Sequence, residues 1–238
     1  MKKDIQIKAH DGGQFGAYVS YPESKTPSSA VVVIQEIFGI NKVMRDICDN
    51  LAAAGFIAIA PDLFWRQEPG VQLTDKSEAE WAQAFKLYQG FNVALGIEDL
   101  KSTLAHIRKD ENCSGKAGTL GYCLGGKLAF LMAARSDADC NVSYYGVGIQ
   151  DMLDEAGDIR HQLLMHIAEK DKFVPMPAQQ KIRAALNNHD NVEIHVYPGV
   201  DHAFAREGGE HYDKEAAHMA NARTADFLAQ HLTKSGDK

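Results

Sequence analysis

Several kinds of feature are missing or scarce in this chain, and each gap removes a class of protein. No stretch approaches the ~18 apolar residues that a membrane span requires. Met1-Lys-Lys-Asp4 opens no apolar signal region, so a cytoplasmic protein with no membrane partner is expected. Basic charge is the minority: 25 Lys and Arg against 32 Asp and Glu leave a formal net charge of -7. With no basic footprint, nucleic acid is not an expected partner. Four cysteines (Cys48, Cys113, Cys123 and Cys140) in 238 residues show no framework spacing, which argues for reduced thiols. No Cys/His spacing matches a zinc site: His161 and His166 would flank one strand, and His211 and His218 would lie on an exposed helix face. Neither a metal nor a cofactor is expected. No repeat, linker or low-complexity stretch interrupts the chain, so residues 1–238 read as a single domain, expected to be monomeric.

What is present alternates. Apolar runs such as Val31-Val-Val-Ile34, Phe56-Ile-Ala-Ile-Ala60, Asn141-Val-Ser-Tyr-Tyr145 and His161 to Ala168 are separated by helical patterns at Lys42 to Ala54, 77 to 109 and Leu124 to Ala134. Continuous β-branched runs mark parallel strands covered on both faces. Residues 5 to 22 read instead as an antiparallel hairpin about Asp11-Gly-Gly13. The expected fold class is α/β, with a mostly parallel central sheet, an antiparallel edge hairpin, and helices on both faces.

One turn in that pattern carries chemistry. Gly121-Tyr-Cys-Leu-Gly-Gly126 follows an apolar run and precedes a helical one, the layout of a nucleophile elbow, where glycines two positions either side avoid a backbone collision. At the helix N-terminus, the Cys123 thiolate would be favoured by N–H groups and the helix dipole. Free cysteine usually behaves as a small buried hydrophobe, and G-x-C-x-G alone is weak. Cys48, Cys113 and Cys140 lack the glycine frame.

An acid and a base follow Cys123 in order. Asp171 lies just past the run ending at Ala168, in a loop closed by Pro175. His202 lies in the Gly-containing loop after Val192 to Tyr197. Nucleophile, acid, base is the chain order of the α/β-hydrolase fold, distinct from those of the chymotrypsin and subtilisin folds. The loop after the third strand, Gln35-Glu-Ile-Phe-Gly39, would supply one oxyanion donor, the Ile37 N–H, with the Leu124 N–H as the other. Glu36 would face the same crevice as the thiol, or else serve a salt bridge or cap the helix starting near Asn41.

Together, Gln35-Glu-Ile-Phe-Gly39, the cysteine elbow, Asp171 in its Val-Pro loop and Gly199-Val-Asp-His-Ala-Phe204 resemble the dienelactone hydrolase (carboxymethylenebutenolidase) family over nearly the whole chain. The resemblance implies hydrolysis of a cyclic enol ester, 4-carboxymethylenebut-2-en-4-olide, to maleylacetate, in the breakdown of chlorinated aromatics. In it Cys123 is nucleophile, His202 base, Asp171 the group orienting His202, and Glu36 a partner of the resting thiol. Arg206 matches one arginine of an anion clamp suited to a carboxylate; Phe38, Trp81, Phe85 and Tyr145 are further candidates for touching substrate. The chain departs from the family pattern where Trp81 stands for the second arginine, Phe85 for a tyrosine and Ala203 for a serine. Trp81, Phe85 and Tyr88 also fit a helix period and so suit core or lid packing. Two rival readings remain: a general esterase of small activated esters, and a non-catalytic cysteine that senses oxidation or binds a lactone.

Overall fold

The computed structural model describes residues 1–233. Its strands are β1 (Lys2–Lys8), β2 (Gln14–Ser20), β3 (Ser28–Ile34), β4 (Ile57–Pro61), β5 (Cys113–Tyr122), β6 (Cys140–Tyr144), β7 (Gln162–Ala168) and β8 (Val192–Tyr197). The helices are α1 (Lys42–Ala53), α2 (Glu78–Gln89), α3 (Val93–Ile107), α4 (Leu124–Arg135), α5 (Met176–Leu186) and α6 (Lys214–Leu232). Strand order in the sheet is β1-β2-β4-β3-β5-β6-β7-β8. The chain divides into two compact units, the first Met1–Thr119 and the second beginning at Leu120.

In the first unit the hairpin forms where expected. β1 and β2 pair antiparallel with Ile5 opposite Ala17, and Gly12 takes the left-handed φ of 91° that the turn needs. β2 is antiparallel to β4, whereas β3 and β4 are parallel, with Val31 opposite Ala58. The run Ala30 to Ile34 is buried throughout, as its lack of alternation requires. The stretch 77 to 109, continuous in the sequence pattern, is two helices. Ser77 caps α2 by accepting from the Glu80 N–H, and Asn92 caps α3 by accepting from Leu95. Gly90 and the cap at Asn92 break the chain there, because an Asn side chain offers the backbone a partner that competes with continued helix.

In the second unit β6, β7 and β8 are parallel and run to the same edge: Tyr144, the end of β6, pairs with His166 shortly before the end of β7, and Ala168 pairs with Tyr197 at the ends of β7 and β8. The segments that follow those strands, beginning at residues 145, 169 and 198, therefore leave the same edge. Ligands in open α/β sheets bind at that edge, beyond the carboxyl ends of strands. His166 lies within β7 and is buried, not flanking the strand; His211 precedes α6 instead of lying on it, while His218 is on α6 and exposed.

Candidate active site

Cys123 stands at the N-cap of α4 with φ 56° and ψ -112°, a left-handed conformation that costs a non-glycine residue energy and tends to persist only at sites that use it. Its N–H donates to the Tyr144 carbonyl at 3.1 Å, and its carbonyl accepts from Lys127 at 3.2 Å and Val147 at 3.3 Å. The glycine at 121 is obligatory, since a β-carbon there would lie 1.9 Å from the Gly125 carbonyl oxygen. A β-carbon at Gly126 would lie 2.5 Å from the Tyr144 carbonyl oxygen and 2.8 Å from the Gly146 Cα, so α4 packs hard against the segment after β6.

His202 is buried, with Nδ1 2.8 Å from Asp171 Oδ2. The other carboxylate oxygen, Asp171 Oδ1, accepts from the Phe173 N–H at 2.8 Å and the Val174 N–H at 3.1 Å, which fixes the carboxylate toward the imidazole. The acid loop and the histidine loop are laced together: the Lys170 N–H donates to the Val200 carbonyl, the Gly199 N–H to Glu169 Oε2, and the Lys172 N–H to Asp201 Oδ1. Beneath them the buried Gln179 amide donates to the carbonyls of Ala168, Glu169 and Val174.

The His202 imidazole also hydrogen-bonds the Cys123 side chain. Burial by itself would push the imidazole down. The charge on Cys123, with hydrogen bonds to Asp171 and Cys123, outweighs that and holds His202 up at about 10. A thiol and an imidazole so placed can share a proton as a thiolate–imidazolium pair. Two rings wall the imidazole edge-on: Phe173 at 4.9 Å and Tyr145 at 5.0 Å between centroids. Tyr145 (φ 37°) and Ala203 (φ 62°) are, with Cys123, the non-glycine residues of positive φ among those described, so all three strained positions meet at this site. Arg206 is buried in the same histidine segment, its N–H on the Ala203 carbonyl at 2.9 Å. Leu124 is the first residue of α4 and is buried.

The first unit holds the remaining candidates. Glu36 (2% exposed), Ile37 and Phe38 follow β3 in buried positions. Glu36 is not the cap of α1, because Asn41 Oδ1 takes that place by accepting from the Met44 N–H at 3.2 Å. Gly39 (φ 74°) fixes the loop, since a β-carbon there would lie 2.0 Å from the Val71 carbonyl oxygen. Phe38, Trp81 and Phe85 form an aromatic chain, Phe38 edge-on to Trp81 at 5.0 Å and Trp81 stacked on Phe85 at 5.4 Å. The helical spacing of Trp81 and Phe85 thus serves packing between rings.

Phe173 and Gln179 escape sequence reasoning. Phe173 lies two residues beyond the acid, a weak signal, and Gln179 has none, since nothing in its neighbourhood on α5 marks it as the residue that holds the acid loop.

A cysteine elbow on a mostly parallel sheet, with acid and histidine loops at its carboxyl edge, defines an α/β hydrolase. Residues 15–232 match the model of the dienelactone hydrolase family, and the chain belongs to that family. A protein of Azospirillum brasilense provisionally named a carboxymethylenebutenolidase is 53% identical, over 96% of this chain and 99% of its own. The carboxymethylenebutenolidase of Pseudomonas putida is 40% identical, over 96% and 97%. A crystal structure from Klebsiella pneumoniae, of a protein provisionally named a dienelactone hydrolase, superposes with a TM-score of 0.86 at 29% identity, covering 97% of this chain and 98% of that one. The protein is a carboxylic ester hydrolase of the dienelactone hydrolase type. Among the described residues no helix is long and apolar enough to cross a membrane.

Proposed function

We propose that the protein opens a cyclic enol ester, 4-carboxymethylenebut-2-en-4-olide, to maleylacetate through a Cys123–His202–Asp171 triad. The observation that carries this reading is the strained elbow cysteine hydrogen-bonded to His202, whose far nitrogen meets Asp171 at 2.8 Å. Cys123 Sγ attacks the lactone carbonyl, and the tetrahedral oxyanion takes hydrogen bonds from the Ile37 and Leu124 amides. Collapse breaks the ring C–O bond and expels an enolate, which takes the proton that His202 received from the Cys123 thiol, leaving the acyl group as a thioester on Cys123 and the imidazole neutral. His202 then removes a proton from water, whose oxygen attacks the thioester; the C–S bond breaks, His202 returns that proton to Cys123 Sγ, and the acid so released ionises to the carboxylate product. Asp171 keeps the imidazole in the tautomer that points Nε2 at the reacting atoms.

An enolate leaves far more readily than an alkoxide, so a thiolate suffices without strong acid assistance; amides are expected to be poor substrates. Arg206 is the group proposed to bind the lactone carboxylate. Glu36, which follows β3 in a buried position, is proposed to accept a hydrogen bond from the Cys123 thiol when the proton rests on sulfur and not on His202. Tyr145 would line the acyl site, and Phe38, Trp81 and Phe85 its apolar side. One domain, acting as a cytoplasmic monomer on a small lactone or ester without metal or cofactor, completes the reading.

A second reading, hydrolysis of general small activated esters, is favoured by Phe173, whose ring meets His202 while 46% exposed. Assay of the purified protein on cis- and trans-dienelactone against p-nitrophenyl esters decides between them. A kcat/KM for either lactone no higher than for p-nitrophenyl acetate would overturn the first. Cys123→Ala should abolish hydrolysis of both classes, and a fully active variant would end the thioester mechanism.

A further inference from the structure

A closed set of buried hydroxyls lies beneath the segment that holds the elbow, and the direction of every hydrogen bond in it can be deduced. Tyr144 Oη is 2.9 Å from Asn221 Oδ1 and 2.7 Å from Thr224 Oγ1. Thr224 Oγ1 is 2.9 Å from His166 Nε2, and His166 Nδ1 is 2.8 Å from Tyr197 Oη. Tyr197 Oη is 3.1 Å from an Arg223 guanidinium nitrogen. A carbonyl oxygen only accepts and a guanidinium only donates, so the ends are fixed. Tyr144 gives its one proton to Asn221. Thr224 must therefore give its proton to Tyr144, and His166 Nε2 must carry the hydrogen that reaches Thr224. Burial, aided by the charges of His195 and Arg223, holds His166 well below the usual imidazole value and hence neutral. Its Nδ1 is then bare and accepts the Tyr197 proton, while Tyr197 Oη accepts from Arg223. Protons run one way: Arg223, Tyr197, His166, Thr224, Tyr144, Asn221.

Tyr144 and His166, both gripped by this chain of bonds, also hold the backbone beside the reactive groups. The Tyr144 carbonyl receives the Cys123 N–H at 3.1 Å, and the Tyr145 N–H donates to the His166 carbonyl at 2.8 Å. That second bond helps hold Tyr145 at φ 37° with its ring on His202. The Tyr144 and His166 rings lie 4.3 Å apart, and the Thr224 hydroxyl bonds both of them.

We propose that Thr224, on α6, is a positioning residue for hydrolysis: its hydroxyl, by accepting from His166 and donating to Tyr144, sets the Tyr144–Tyr145 segment that seats Cys123 and walls His202. The proposal rests on the cysteine mechanism above. No bond from Thr224 reaches Cys123 or His202 directly, so its effect travels through Tyr144 and Tyr145.

The test compares Thr224→Val, which keeps the shape and removes both bonds, with Thr224→Ser, which keeps the hydroxyl, alongside Cys123→Ala. Thr224→Val should lower kcat for p-nitrophenyl acetate about tenfold, short of the about hundredfold that a 1 Å misplacement can cost, with KM little changed. Thr224→Ser should retain most of the wild-type kcat. In the wild-type protein, nitrogen-15 NMR of the imidazole at 166 should show the proton on Nε2, a readout that survives if the valine variant does not fold. A proton on Nδ1, a serine variant as slow as the valine one, or full activity in Thr224→Val would each overturn the proposal. A fully active Cys123→Ala would strike at the mechanism beneath it and is read separately.

Discussion

An alanine at position 121 would place its β-carbon 1.9 Å from the Gly125 carbonyl oxygen, 2.3 Å from the Gly125 carbonyl carbon and 3.0 Å from the Gly126 nitrogen. All three are backbone atoms in the first turn of α4, so no side chain can rotate away. Relieving the shortest contact to 3.0 Å, below which real β-carbons are essentially never found, needs a displacement of 1.1 Å, the difference between the two distances. Overpacking of this kind costs about 1–3 kcal/mol of stability. The catalytic loss should be larger, because α4 begins at the residue after Cys123 and a misplacement of ~1 Å can cost about 10²-fold in rate. Gly157→Ala is the control: a β-carbon there meets nothing within 4 Å, and its stability and turnover should match wild type. Thermal unfolding and hydrolysis of p-nitrophenyl acetate, measured on both variants, supply the two readouts. A Gly121→Ala protein with wild-type turnover would refute the claim that the elbow's close approach places the sulfur.

Burial pushes the His202 imidazole down, but the charge of Cys123 and the bond to Asp171 outweigh it and hold the imidazole up at about 10 from the usual 6.5. Its proton therefore stabilises the fold fully below pH 6.5, and that contribution is lost as pH rises through about 10. Denaturant unfolding across this window should show stability falling, and falling less in Cys123→Ala; equal slopes would remove the coupling. Glu36→Gln should let the Cys123 thiol titrate at lower pH, followed as thiolate absorbance or alkylation rate, and should slow lactone turnover. Unchanged titration and turnover would return Glu36 to a purely structural role. Arg206→Ala should raise KM for an anionic lactone by the equivalent of about 1.5–3 kcal/mol, the range for a hydrogen bond to a charged group, and leave a neutral ester nearly untouched. Equal losses on both substrates would mark Arg206 as structural. Iodoacetamide should label Cys123 ahead of Cys48, whose fully buried thiol is pushed far up by desolvation; preferential labelling of Cys48 would contradict the site.

The sequence was legible wherever the physics is local. A tight strand-to-helix turn demands glycine at 121, where a β-carbon would strike the Gly125 carbonyl, continuous β-branched runs demand a covered parallel sheet, and β8 falls at Val192–Tyr197 as read. The positions of Cys123 between β5 and α4 and of Asp171 and His202 just past β7 and β8 were likewise readable, because turns and loops at strand ends have local signals in glycine and proline. Local pattern failed at 77–109, where one helical periodicity spans two helices and the caps at Ser77 and Asn92 decide the break. Other features rest on residues far apart in the chain. Phe173 against His202, Gln179 beneath the acid loop, and Thr224 between His166 and Tyr144 depend on strand register and on how α5 and α6 pack. Spacing along a chain encodes periodicity and backbone conformation. Which buried hydroxyl meets which ring nitrogen is decided only when the strands pair and water is excluded, because a polar group left without a partner there is costly enough to select the arrangement that satisfies it.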